Sequence, residues 1–164
     1  WKENKTLSNN TYEFKGISFP VFKGELFGLE DLAEGVHAEL RLWNHENRLA
    51  GTSDQVIVLP NRKVIIRDWK SNWEIKVDNK YQKMKDPIGH LDDCSLNHYY
   101  LQLSLYGWFL EQYGYEVVHI EFIHYELEEE EDGNFFVLDS TVYECPYLKP
   151  EIEAMIKYKK EHGI

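Results

Sequence analysis

Cysteine is scarce in this chain of 164 residues, and a long apolar run is absent. The two cysteines, Cys94 and Cys145, are too few for a disulfide scaffold and are typical of a reducing, intracellular compartment. Two cysteines cannot ligate an iron–sulfur cluster by themselves, so the sequence predicts no such cluster. No stretch of about 18 apolar residues occurs, and the start of the chain lacks a signal-peptide pattern. We therefore expect no membrane span.

Basic residues are also few: 18 Lys and Arg stand against 29 Asp and Glu, which gives a net charge of −11. This balance counts against a simple nucleic-acid-binding module, because such modules usually carry a basic stripe. Much of the acidic excess lies between residues 126 and 132, at the turn of a predicted hairpin formed by apolar strands at 117–125 and 135–138. We interpret this run as a solvated tip.

A second predicted hairpin, between residues 51 and 70, carries the most informative pattern. The β-branched residues at 64–66 follow a turn signal at 59–62, and the strand then continues through Asp68-Trp69-Lys70. Because side chains alternate on a strand, Asp68 and Lys70 point the same way. Asp54, on the preceding strand, could reach the same place. Two carboxylates and an ammonium group there would form a site for a divalent metal ion.

Each residue type suits the cleavage of phosphodiesters. Mg²⁺ prefers carboxylate and water oxygens, so Asp54, Asp68 and a substrate phosphate would suffice to hold it. The metal would activate a bound water, and Lys70 would orient that water and balance charge on the phosphate. The alternative is a salt bridge of Lys70 with Asp68 on an edge strand, which is the more common meaning of an isolated D-x-K pattern.

Two further segments could complete such a site. Residues 97–113 have the apolar spacing of a helix ending near Gly114, and Gln102 and Tyr106 share one of its faces. The alternative is that both merely border the core. Upstream, strict alternation over 37–43 puts Glu39 on the same face as Arg41 and Trp43, and Ala38, Leu40 and Leu42 on the other. Glu39 is either a further acid near the metal or a solvated strand residue.

The remaining sequence predicts the surroundings of the site. Short strands are expected at 12–19 and 26–29, residues 141–145 continue the last strand, and Pro150 opens a helix over 151–160. A loop carries four lysines (Lys76, Lys80, Lys83 and Lys85) interleaved with Trp73, Tyr81 and Met84, and this loop is either a DNA-contacting arch or a disordered linker. Residues 1–164 thus predict one domain of class α/β (α+β), a mixed central β-sheet flanked by helices.

These motifs together resemble a known family. They occur in the order Glu39, Gly51-x-x-Asp54, Asp68-x-Lys70, Gln102-x-x-x-Tyr106, and the phrase Asp68-Trp69-Lys70-Ser71-Asn72 matches the family's DWKT/S core. The pattern looks like the RecB-type exonuclease branch of the PD-(D/E)XK nuclease superfamily, and is similar to phage and bacterial members and to mitochondrial genome-maintenance exonucleases. The resemblance covers about residues 37 to 125, and motifs in this order are more specific than any one alone.

The resemblance implies a restriction-endonuclease-like core and a Mg²⁺- or Mn²⁺-dependent deoxyribonuclease that leaves 5′-phosphate ends. Asp54 and Asp68 would be the metal ligands, Lys70 the catalytic lysine, and Gln102 and Tyr106 the helix pair beside them. DNA would be the substrate, with a helicase or recombination protein as partner and a phage or bacterial source.

The family also commonly carries a histidine on an N-terminal helix, which this chain lacks. His37 is predicted on a strand and is no substitute for it. With Trp1 as its first residue, we interpret the chain as a domain of a longer protein. The alternative function is a non-catalytic DNA-end-binding or protein-interaction module that retains the nuclease fold.

Overall fold

The computed structural model describes residues 11–14, 16–23 and 28–164. Its elements are β1 (Thr11–Phe14), β2 (Ile17–Lys23), β3 (Gly35–Asn44), β4 (Leu49–Leu59), β5 (Lys63–Lys70), α1 (Ser95–Gln112), β6 (Glu116–Glu129), β7 (Phe135–Glu144) and α2 (Lys149–His162). Short 3₁₀ turns occur at Leu29–Asp31 and Pro60–Arg62.

The strands form one mixed sheet in the order of the chain, from β1 to β7. The pairs β2–β3 and β5–β6 are parallel, and the other neighbours are antiparallel. A parallel pair needs a crossover connection, and α1 with the segment before it supplies this connection between β5 and β6. The predicted mixed sheet flanked by helices is confirmed.

The main core lies between the sheet and its helices. Alternate residues of β4 and β5 pack on one face against α1, where Leu103, Phe109 and Leu110 are fully buried, and α2 packs against α1. The intervening residues Ile57 and Ile65 belong to a smaller cluster on the other face, which we call the outer cluster. Because both faces of these central strands are covered, their apolar residues are nearly continuous in sequence rather than alternating with polar ones.

Most predicted elements are confirmed. The 51–70 hairpin turns at Pro60–Arg62, where Asn61 takes a left-handed φ of 62°. Helix α1 ends as expected before Gly114, whose φ is 83° and whose N–H donates to the Glu111 carbonyl at 3.0 Å. The second hairpin and the C-terminal helix also form, although β6 runs to Glu129, so that only the end of the acidic run lies in the turn.

Two local predictions are wrong. The strand expected at 26–29 falls partly on residues 26 and 27, outside the described residues, while Gly28 is irregular and Leu29 begins a 3₁₀ turn. Strict alternation also fails in β3. Val36 and Leu40 should share a face, yet Val36 packs in the outer cluster and Leu40 in the main core. The change of face occurs around Glu39, which has a φ of 55°.

Candidate active site

Five of the six predicted site residues converge where β4 and β5 meet the middle of α1. Lys70 links the two sides of this site. Its Nζ lies 2.5 Å from Oδ2 of Asp68, and it donates a hydrogen bond of 3.2 Å to Oε1 of Gln102. Gln102 Nε2 in turn donates to the Tyr106 hydroxyl at 2.9 Å. The resulting chain of polar contacts fixes the position of the ammonium group between strand and helix.

Asp54 lies opposite Asp68 because β4 pairs antiparallel with β5, with Gln55 opposite Arg67. The pairing of β4 with β3 is interrupted at the same place. Ala38 pairs with Gln55 and Leu40 pairs with Ser53, so Glu39 and Asp54, which lie between these two pairs, are not paired with each other. Asp54 Oδ2 accepts a hydrogen bond of 3.1 Å from the Trp69 backbone N–H, which holds it against β5.

Gly51 shows that β4 changes face at the same place as β3. A Cβ atom on Gly51 would lie 2.7 Å from Cε1 of Tyr106, so this residue faces α1. Val56, five residues later, also packs in the main core, although regular alternation would put it on the opposite face. The absence of a side chain at Gly51 therefore lets the Tyr106 ring lie against the strand beside Asp54.

Asp68 is the most perturbed acid of the site. It is only 3% exposed, and burial raises its pKa to about 6. Lys70 opposes this shift in the pKa, while the charge and hydrogen bonding of Asp54 add to it. Such an effect requires the two carboxyl groups to lie close together, as two ligands of one metal ion would.

The buried oxygen of Asp68 has a charged partner. Oδ2 is fully buried, and the Lys70 ammonium lies 2.5 Å from it. Because the carboxyl of Asp54 is close by as well, two acids stand against one ammonium group, and a second cation beside them would offset the remaining negative charge. The pair Asp54 and Asp68 therefore fits a hard divalent cation.

Glu39 is the sixth predicted site residue. It is exposed, and among the described residues no group of three or more His, Cys, Asp or Glu side chains is placed to hold a metal ion. Two carboxylates still suit Mg²⁺, which keeps several waters and is commonly held by one or two carboxylates together with substrate phosphates. The role of Glu39 as a further acid stays a prediction.

Tyr99 belongs to the site although sequence reasoning did not select it. The Lys70 ammonium lies 4.7 Å from the centre of the Tyr99 ring, within the range of a cation–π contact. Tyr99 also packs edge-on against the buried Phe122, at 5.4 Å between ring centres. The available signal was helical spacing, since Tyr99 precedes Gln102 by three residues and therefore shares its face.

The connection between β5 and α1, residues 71–94, is the loop predicted as an arch or a linker. Its middle is tied back on itself, because the Met84 N–H donates to the Leu91 carbonyl at 2.9 Å and Lys83 pairs with Asp92. Ile75, Met84 and Leu91 pack against the main core. These contacts are those of an ordered connection, and all four of its lysines are exposed.

The cysteines are buried and unpaired, and burial raises the pKa of Cys145 to about 12, so its thiol is inert. Neither described helix has the length and apolar character needed to cross a membrane.

No protein-family model, curated protein or solved structure matches the chain.

Proposed function

We propose that this protein is a divalent-metal-dependent DNA nuclease that hydrolyses phosphodiester bonds. Asp68 carries the proposal: a nearly fully buried carboxyl lies beside a second carboxyl, Asp54, and an ammonium group, Lys70. A structural salt bridge does not need the second acid. Strongly perturbed acids of this kind cluster at functional sites.

Each residue of the site has a separate role in the proposed reaction. Asp54 and Asp68 would hold Mg²⁺ or Mn²⁺, which supplies Lewis acidity and an activated water. Lys70 places a positive charge where negative charge develops on the phosphate during attack. Gln102 holds the Lys70 ammonium at 3.2 Å, and Tyr99 covers it on another side, so the charge is oriented before substrate arrives. Such preorganisation avoids the cost of ordering the lysine during the reaction.

The resemblance to RecB-type nucleases makes the proposal more specific. It favours an exonuclease acting in DNA recombination, repair or replication, inside a phage-infected or bacterial cell. Two buried free cysteines are compatible with a reducing compartment.

The test is cleavage of linear and circular DNA labelled at its 5′ or 3′ end, with Mg²⁺, Mn²⁺ or EDTA. We expect metal-dependent loss of linear DNA, reduced about 10²–10³-fold in Lys70→Ala because an oriented charge is removed. Lys63→Ala is the matched control, since Lys63 is exposed at the other end of β5 and should leave the rate unchanged. Circular dichroism of both variants checks that each is folded.

Two results would contradict the proposal: cleavage that persists in EDTA, or a Lys70→Ala variant that cleaves at the parental rate. Metal binding without any cleavage would instead favour the non-catalytic module, for which the net charge of −11 is the main support.

A further inference from the structure

Two aromatic side chains in the connection between β5 and α1 have no protein surface to cover. Trp73 is 93% exposed and Tyr81 is 100% exposed. The other tryptophans of the described residues, at positions 43, 69 and 108, are at least half-buried. Burying a large apolar side chain stabilises a fold by about 1.5–3 kcal/mol. The two exposed aromatic rings do not contribute this stabilisation, although they lie on an ordered loop.

The loop backbone fixes where both rings stand. Asn79 Oδ1 accepts hydrogen bonds of 3.1 Å from the backbone N–H groups of Tyr81 and Gln82, and Asn79 Nδ2 donates to the Asp93 carbonyl at 2.9 Å. Tyr81 therefore stands on a turn anchored to the segment that enters α1. Trp73 follows Asn72, whose carbonyl accepts a hydrogen bond of 2.6 Å from His124 Nε2 on β6.

Trp73 is also close to the candidate active site. It lies three residues after Lys70, and three residues of chain span at most about 11 Å. The Cα atoms of these two residues are no further apart than this, so a base stacked on Trp73 would belong to a nucleotide within a few positions of the phosphate beside Lys70.

Lysines concentrate around Tyr81 in an otherwise acidic protein. Four lysines and a single acid, Asp78, fall between residues 76 and 85, while Glu74, Asp86, Asp92 and Asp93 lie at either end of the connection. Lys83 is paired with Asp92, whereas Lys76, Lys80 and Lys85 make no ion pair within the described part of the chain. Three ammonium groups in the same connection as the two rings are thus available for phosphates.

We propose that Trp73 and Tyr81 stack on the bases of a single-stranded nucleic acid while Lys76, Lys80 and Lys85 hold its phosphates. In a duplex the base faces are covered by their neighbours, so exposed rings select unpaired bases. Stacking tolerates any sequence, because every base has a flat face. This inference rests on the proposed function for its setting: the nuclease would receive a single strand, or a frayed end, across these rings.

The test measures binding separately from cleavage. The protein is titrated into fluorescein-labelled oligo(dT) of 20 nucleotides or into a labelled 20-base-pair duplex, and fluorescence anisotropy gives the affinity at several salt concentrations. EDTA is present throughout, so that a metal-dependent nuclease is inactive. We expect the single strand to bind more tightly, and Trp73→Ala and Tyr81→Ala each to weaken its binding by roughly tenfold. Trp73→Phe and Tyr81→Phe should retain most of the affinity, since a phenyl ring still stacks.

Val77→Ala is the matched control, because Val77 is exposed on the same loop but has no ring; its affinity should equal that of the parental protein. Tryptophan emission gives a second readout, since oligo(dT) should quench the parental protein more than Trp73→Phe. Equal affinity for the single strand and the duplex, or alanine variants that bind as the parental protein does, would overturn the inference.

The two proposals can fail separately. If the parental protein cleaves DNA but the ring variants bind normally, only the stacking inference is lost. If ring-dependent binding is found without metal-dependent cleavage, only the nuclease is lost.

Discussion

Arg67 and Asp68 are neighbours on β5, and their side chains point to opposite faces of the sheet. Both are nearly fully buried and both take part in an ion pair. On the outer face, Arg67 Nε lies 2.5 Å from Oε1 of Glu121, and His119 Nε2 donates to the other oxygen of Glu121 at 2.9 Å. Burial alone would raise the pKa of Glu121, but the hydrogen bonds from His119 and Arg67 outweigh it and the pKa is lowered.

The pair on the helix side has the opposite character. Asp68 faces a second acid instead of a second donor, and burial raises its pKa to about 6. The pair of Arg67 with Glu121 is complete by itself and serves stability. The pair of Lys70 with Asp68 is left incomplete, which is the state in which a site can accept a cation. The two acids differ in burial, which is the largest cause of the raised pKa of Asp68, and in the number of donors around them.

Removal of one partner from the complete pair should have the largest effect on stability. We expect Glu121→Gln to lower the free energy of unfolding by about 3 kcal/mol, because it leaves the buried Arg67 charge without its counter-ion. Urea denaturation measures this change.

The double variant Arg67→Met/Glu121→Met tests whether the uncompensated charge of Arg67 causes this loss of stability. It removes both charges, so its stability should lie closer to that of the parental protein than to that of Glu121→Gln. A double variant that is less stable than the single one would show that apolar packing around Arg67, and not the uncompensated charge, sets the cost.

The incomplete pair should respond to pH in the opposite sense. A carboxyl whose pKa is about 6 when folded and near its ordinary 3.8 when unfolded contributes stability below pH 4, and that contribution is lost as the pH rises through 6. The difference corresponds to about 3 kcal/mol at most. Asp68→Asn should therefore gain stability relative to the parental protein between pH 4 and pH 8, in EDTA.

Glu121→Gln is the control for this pH series. Because the pKa of Glu121 is lowered, its contribution is present at neutral pH and is lost as the pH falls. Relative to the parental protein, this variant should be most destabilised at pH 8 and least at low pH. Urea unfolding across the series would contradict the comparison if both variants shifted in the same direction.

The smallest expected effect concerns the residue that holds Lys70. Gln102→Ala removes one hydrogen bond to a charged group, so DNA cleavage should slow by about tenfold, equivalent to about 1.4 kcal/mol, while metal affinity is unchanged. Gln112→Ala, at the far end of the same helix, is the matched control and should leave the rate as it was. A loss of metal affinity in Gln102→Ala would mean that Gln102 shapes the carboxylate pair and not the lysine.

Local sequence determined the frame of the site. Period-two alternation put Asp68 and Lys70 on one face of β5, and the turn signal at 59–62 brought β4 alongside it. Helical spacing put Gln102 and Tyr106 one turn apart on α1, where they are joined by a hydrogen bond of 2.9 Å. These relations involve residues a few positions apart, whose geometry follows from the period of the element they occupy.

Tertiary structure alone decided the chemistry of the site. The left-handed Glu39 breaks the alternation of β3 opposite Asp54, and no residue type in the sequence signals that break. The contacts of Lys70 with Gln102 and Tyr99 join a strand to a helix, across a connection of more than twenty residues. The raised pKa of Asp68 depends on burial and on the neighbouring Asp54, both of which are set by packing between distant segments. A sequence pattern fixes which groups share a face, whereas the free energy of a buried charge depends on everything that surrounds it.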